Sequence, residues 1–107
     1  MKKLILMTAF IASPALSLDY TDIGSATGAI AYSSGCKSVG LMSEDVFESL
    51  RSKAVRIPIF ATMQGFTWDE MRPHLEQGKI AGEESFKEDG FAERLDHCSN
   101  LSDWASS

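Results

Sequence analysis

The 107 residues contain only two cysteines, two histidines and three prolines. None of the C-x-x-C, C-x-x-C-H or H-x-x-x-H spacings occurs, so a redox couple, a covalent haem and a local zinc site all lack a sequence basis. There is no Gly-x-Ser-x-Gly elbow to present a nucleophile. No alternating apolar–polar run of strand length appears, which removes the usual signal for a half-buried sheet. Basic residues are in deficit: 10 Lys and Arg stand against 15 Asp and Glu, a formal net charge of −5. That balance excludes recognition of DNA, RNA or an anionic membrane through a basic face. The chain is also too short for more than one small domain.

The N-terminus carries the pattern of an export signal. Met1-Lys2-Lys3 is a short basic region, Leu4 to Ala12 is uncharged and apolar, and Pro14 ends the run. Ala15-Leu16-Ser17 then places small residues at −3 and −1 of a cut before Leu18, as signal peptidases require. Counted from Leu4 to Leu18, the segment is 15 residues long, short of the roughly 20 needed to span a bilayer as a helix. We therefore expect residues 1–17 to be a cleaved signal of bacterial type and residues 18–107 to be a single domain. That domain is expected in the periplasm or outside the cell, without a stable membrane anchor. Removal of Lys2 and Lys3 would take the net charge from −5 to −7.

In that setting Cys36 and Cys98 read as a disulfide. They stand 62 residues apart, and closing such a loop is worth about 4 kcal/mol in the chain-entropy model. Lipidation of Cys36 is disfavoured, because it lies some twenty residues beyond the apolar run.

The rest reads as helix. Ile23, Thr27, Ile30, Ala31 and Ser34 recur at three and four residues, predicting a helix over 21–34 with Gly35 as its C-cap. Gly24 and Gly28 weaken it but would let a neighbouring helix approach closely. Ser43 is an N-cap with Glu44 and Asp45 behind it, opening a helix to about Val55 whose stripe is Val46, Phe47, Leu50, Ala54 and Val55. A helical turn or extended link with Pro58 follows, closed by Gly65. Thr67 with Glu70 forms a capping box, and Phe66 with Met71 a hydrophobic staple, so a third helix begins at Trp68. Pro73 predicts a kink or a delayed start there. Gly78 and Gly82 again permit close packing rather than cradling a phosphate. A last helix beginning near Glu88 or Gly90 carries Phe91, Leu95 and Cys98 on one face, and Asn100–Ser107 reads as a tail held by Leu101 and Trp104. The expected fold is all-α: a bundle of four to five short helices closed by Cys36–Cys98.

Few residues suggest chemistry. His74 and His97 are each expected at the surface, and no metal or cofactor is assigned. Glu83-Glu84 and Glu88-Asp89 are expected to form a solvated face rather than an acid–base pair. No residue is assigned a catalytic role. The densest apolar group lies between Pro58 and Leu75, and aromatic and Met side chains there are of the kind that anchor protein interfaces. We take Phe60, Met63, Phe66, Trp68, Met71 and Leu75 as the candidate partner-binding set.

The expectation is thus an exported, non-enzymatic module that binds another protein. Two alternatives stand beside it. An export signal, about 90 further residues, helices and one cysteine pair make a layout similar in outline to that of small periplasmic acid-stress chaperones, with no motif shared beyond it. A small-ligand or cofactor carrier with a pocket between helices is the other.

Overall fold

A computed structural model describes residues 18–107; the expected signal segment lies outside the described residues. Within them five helices follow one another: α1 (Tyr20–Ser38), α2 (Glu44–Ala54), α3 (Arg56–Met63), α4 (Trp68–Glu88) and α5 (Phe91–Ser106). Only Val55 separates α2 from α3. No strand occurs among the described residues, and none of the helices there is long and apolar enough to cross a membrane.

Each start has a local cause. Asp19 caps α1: Asp22 N donates to Asp19 Oδ1 and Asp19 N donates to Asp22 Oδ2, satisfying two otherwise orphaned N–H groups. Ser43 Oγ accepts from Val46 N at the head of α2. Thr67 and Glu70 form the expected capping box on α4, while Phe66 and Met71 pack into one apolar cluster as a staple requires. Pro58 occupies the third position of α3, where the missing N–H would have had no helical partner.

Two helix ends are Schellman motifs. Gly40 has φ +82° and Gly65 φ +104°. The backbone bonds Gly40 N to Lys37 O and Leu41 N to Cys36 O close α1, and Gly65 N to Thr62 O and Phe66 N to Ala61 O close α3. Gly65 ends its helix as the sequence predicts. Gly35 does not: α1 continues a further turn, and Gly40 supplies the left-handed residue.

The architecture turns on α1 against α4. Gly24 and Gly28 face Gly78 and Gly82 backbone to backbone. A Cβ on Gly78 would lie 1.9 Å from Gly24 O, and one on Gly82 would lie 2.4 Å from Gly28 O. Thr27 Oγ1 crosses the gap to donate to Leu75 O at 2.7 Å. The register runs from Tyr20 on His74 to Tyr32 on Phe86, so the two helices are parallel. The α2–α3 segment makes the return journey between them. A Cβ at Gly35 would lie 2.6 Å from the Phe86 ring, which is why glycine stands inside the helix there.

Two apolar clusters flank this seam. The larger gathers Ala26, Ala29, Tyr32, Phe47, Leu50 and Leu101 around the Cys36–Cys98 disulfide, whose Cα atoms are 5.8 Å apart. The smaller holds Ile23, Ala61 and Met71, with Leu18, Phe66 and Leu75 against it.

Several expectations are corrected. The buried residues of α1 are Ile23, Ser25, Ala26, Ala29, Tyr32, Ser33 and Cys36; of the predicted face of Ile23, Thr27, Ile30, Ala31 and Ser34, only Ile23 is among them. The reason is that α1 is covered from two sides, by α4 on its glycines and by α2 and α5 beyond. Pro73 does not delay α4, which starts at Trp68 and runs unbroken to Glu88. On α5 the buried face is His97, Cys98 and Leu101, while Phe91 and Leu95 are exposed. Asn100–Ser107 is the end of that helix rather than a tail. Lys53 Nζ bonds Trp104 O and Ser107 O, satisfying carbonyls the helix end leaves open.

Candidate functional site

The candidate surface is built where α3 ends and α4 begins. Ile59, Phe60 and Met63 share one face of α3, because positions three and four apart align on a helix. Ala61, on the opposite face, is fully buried and anchors the helix to Ile23 and Met71. The burial of that small residue holds α3 down and turns the larger side chains outward. Ile59 is 51% exposed, Phe60 44%, Met63 75% and Trp68 49%. Arg56 is the one charged residue between Val55 and Trp68, in a described chain that is otherwise strongly acidic.

The structure divides the six predicted residues. Phe60, Met63 and Trp68 are exposed, and Phe66 and Leu75 are half-buried against the smaller core. Met71 is fully buried and belongs to that core, so it offers nothing to a partner. Its role as the inner half of the staple accounts for this. Ile59 joins the exposed face and was missed by the sequence reading; its spacing to Met63 is the signal that would have found it.

A second feature lies along the α1–α4 seam. Because glycines bring the two backbones together, the flanking side chains stand apart and leave an open groove of about 440 Å³. Tyr20 and His74 stack at one end with ring centroids 4.0 Å apart, and Tyr32 lines the other.

Behind Tyr32 is a buried polar cluster that the sequence reading did not anticipate. The Tyr32 hydroxyl donates to Asp89 Oδ2 at 2.5 Å, and His97 Nδ1 lies 3.0 Å from the same oxygen and 3.2 Å from the hydroxyl. A carboxylate oxygen accepts, so Asp89 Oδ2 receives the phenol's hydrogen bond and, in the tautomer that carries its proton on Nδ1, that of His97 as well. Burial, reinforced by the hydrogen bond to Asp89, pushes the Tyr32 phenol well above the ordinary tyrosine range. A phenol so held is a donor, not a nucleophile or base. The cluster joins α1, the α4–α5 link and α5, one residue from the disulfide. His97 is therefore a core residue, not the surface histidine expected from the sequence, and Asp89 is split from the exposed Glu83, Glu84 and Glu88.

Beside the cluster, Arg94 lays its guanidinium 4.1 Å over the Phe86 ring and donates from Nε to Phe86 O. Both cysteines are bonded. Among the described residues no three His, Cys, Asp or Glu side chains converge to hold a metal ion. Comparison with protein-family models, with curated proteins and with solved structures found no match.

Proposed function

We propose that the protein is an exported, non-enzymatic module that binds another protein through the outward face of α3 and the start of α4. One observation carries this reading: Ile59, Phe60, Met63 and Trp68 stand exposed together in sequence on a stretch with a single charge. Large apolar and aromatic side chains at a low-charge surface are what interface anchors look like, since they desolvate cheaply and bury much area. The disulfide supports an oxidising compartment, and the N-terminal pattern supports delivery there by a signal removed before Leu18.

The test is photo-crosslinking from the exported protein in cells. A photoreactive residue placed at Met63 should give a discrete protein adduct, and the same residue at Ser49, on exposed α2, should not. Loss of the adduct in a Phe60→Ser, Trp68→Ser variant would tie it to the face. No adduct at Met63, or equal adducts at both positions, would refute the proposal.

The α1–α4 groove favours a second reading, a carrier of a small, largely apolar molecule. Native mass spectrometry of the exported protein separates the two: an added mass that denaturation releases supports the carrier, and the bare chain mass removes it.

A further inference from the structure

We propose that the groove on the far side of the α1–α4 seam binds a free long-chain fatty acid, with its carboxylate at Arg94 and Lys87 and its chain along α1. This groove shares no lining residue with the one between Tyr20 and Tyr32. The inference goes beyond the docking reading and does not depend on it.

The apolar face that spacing marks on α1 is left open along most of its length. Only Ile23 of that face is buried; Thr27, Ile30 and Ala31 are half-buried and Ser34 is exposed. These last four form one wall of an open groove of about 580 Å³, within the range that small-molecule sites occupy. Lys79, Glu83 and Lys87 stand on the α4 wall, and Arg94 reaches in from α5. Phe86 lies against Gly35 and Phe47 under Lys37, which puts both rings at the Ser38 end. From Ser38 to Thr27 the groove runs about 16 Å along the helix, a length that suits an alkyl chain rather than a small anion.

The cations single out an anionic head. Eight Lys and Arg lie among residues 18–107. Four are engaged: Lys37 with Glu44, Arg51 with Glu48, Arg72 with Asp69, and Lys53 with the carbonyls that end α5. Of the other four, Lys79, Lys87 and Arg94 line this groove, and none of the three has an ion pair among the described residues. Arg94 is held ready: its guanidinium sits 4.1 Å over the Phe86 ring and its Nε donates to Phe86 O. Its two terminal nitrogens make no hydrogen bond among the described residues. A guanidinium anchored in this way presents the paired donors that take a carboxylate bidentately, with little side-chain freedom left to lose.

The surrounding carboxylates leave Arg94 as the surplus charge. Glu83 shares the lining and Glu76 stands two turns before it, and these two balance Lys79 and Lys87 along α4. Glu84 and Glu88 lie about 100° and 140° round α4 from Glu83, and Asp96 about 160° round α5 from Arg94, so all three face away. Glu93 is turned to the head of α5, where it accepts from Gly90 N, and Asp89 is taken by Tyr32 and His97. One surplus positive charge beside an apolar trough matches a monoanion with a hydrocarbon chain, and each methylene buried there strengthens binding by roughly fourfold.

Titration calorimetry of the purified protein with dodecanoate and with dodecanol, the same chain without the charge, tests the site. Dodecanoate should bind one to one, and dodecanol at least about tenfold more weakly. Arg94→Gln should weaken dodecanoate about tenfold and leave dodecanol unchanged. Because Arg94 also packs on Phe86, Lys87→Gln on the exposed rim is the second variant, with a loss of about threefold. Ser34→Trp, at an exposed point of the α1 wall, should abolish binding of both ligands, while Ala81→Trp in the groove at Tyr20 should change neither; unaltered circular dichroism is the control for each. No binding of dodecanoate, or equal affinity for the acid and the alcohol, would overturn the inference. So would affinity for dodecanoate unchanged in both Arg94→Gln and Lys87→Gln. Loss of binding with Ala81→Trp but not with Ser34→Trp would overturn it and assign the ligand to the other groove. Binding to phosphatidylglycerol vesicles without binding to monomeric dodecanoate would overturn it in favour of a membrane surface.

Discussion

Gly78→Ala should be among the most damaging single-atom changes in the protein, and the structure gives its size. The new Cβ would lie 1.9 Å from Gly24 O, 2.6 Å from Gly24 C and 2.6 Å from Thr27 Oγ1. Two of those atoms are helix backbone, so α1 and α4 must separate. Overpacking of this kind costs about 1–3 kcal/mol. Separation also strains the 2.7 Å bond from Thr27 Oγ1 to Leu75 O, worth about 1 kcal/mol. Against these stands the helix propensity of alanine over glycine, about 1 kcal/mol. The net is a loss of about 1–3 kcal/mol, or about 4–24 °C in Tm for a domain of this size. Gly24→Ala is the internal control. It gains the same propensity, but its Cβ comes no closer than 3.2 Å to His74 O, so it should lie within about 1 kcal/mol of the parent. Gly82→Ala, at 2.4 Å from Gly28 O, should rank with Gly78→Ala. Urea and thermal unfolding followed by circular dichroism measure all three. If Gly78→Ala proves as stable as Gly24→Ala, the two helices do not meet at these glycines and the parallel seam is wrong.

Replacing Cys36 and Cys98 together by serine should lower unfolding stability by about 4 kcal/mol, because a 62-residue loop is released into the unfolded chain; a urea midpoint unchanged by the substitution would contradict this. The raised Tyr32 phenol makes stability fall with rising pH. Its contribution is complete below about pH 10, where the unfolded phenol is still protonated, and declines above that by up to about 1.4 kcal/mol per pH unit. Tyr32→Phe should flatten that alkaline limb in pH-dependent unfolding. Met71→Ala should cost about 2–5 kcal/mol from the core cavity it leaves, whereas Met63→Ser should stay within about 0.5 kcal/mol; similar losses at both would show that α3 does not turn Met63 outward. Ser33 Oγ is buried with no hydrogen-bond partner among the described residues, so Ser33→Ala should leave the unfolding midpoint equal or raise it.

Where the sequence was legible, the determinants were local. The caps of α2 and α4, the Phe66–Met71 staple and the stop at Gly65 each depend on residues within six positions of one another, and all appear as read. The cysteine pairing was legible for a different reason, since two cysteines permit one intramolecular bond. The close approach of helices through glycines at i and i+4 was also legible, though which pair met which was not.

What failed did so because a second element intervened. Gly35 and Gly40 are both plausible helix stops by composition. Only the Phe86 ring, brought from 51 residues away, makes the first a packing residue and leaves the second to carry positive φ. Phe91 and Leu95 have helical spacing, yet the disulfide orients α5 so that His97, Cys98 and Leu101 face inward. His97 looked like a surface residue because its partners, Tyr32 and Asp89, lie 65 and 8 positions away and satisfy it only after α1 and α5 meet. Met71 and Met63 are the same residue type eight positions apart. One is core and the other exposed because the fully buried Ala61 fixes which side of α3 faces the bundle. The sequence by itself determined where α2 and α4 begin, that the fold is all-α and which cysteines join. Tertiary packing decided which faces are inside, since burial is settled between helices and a helix alone cannot specify its neighbour.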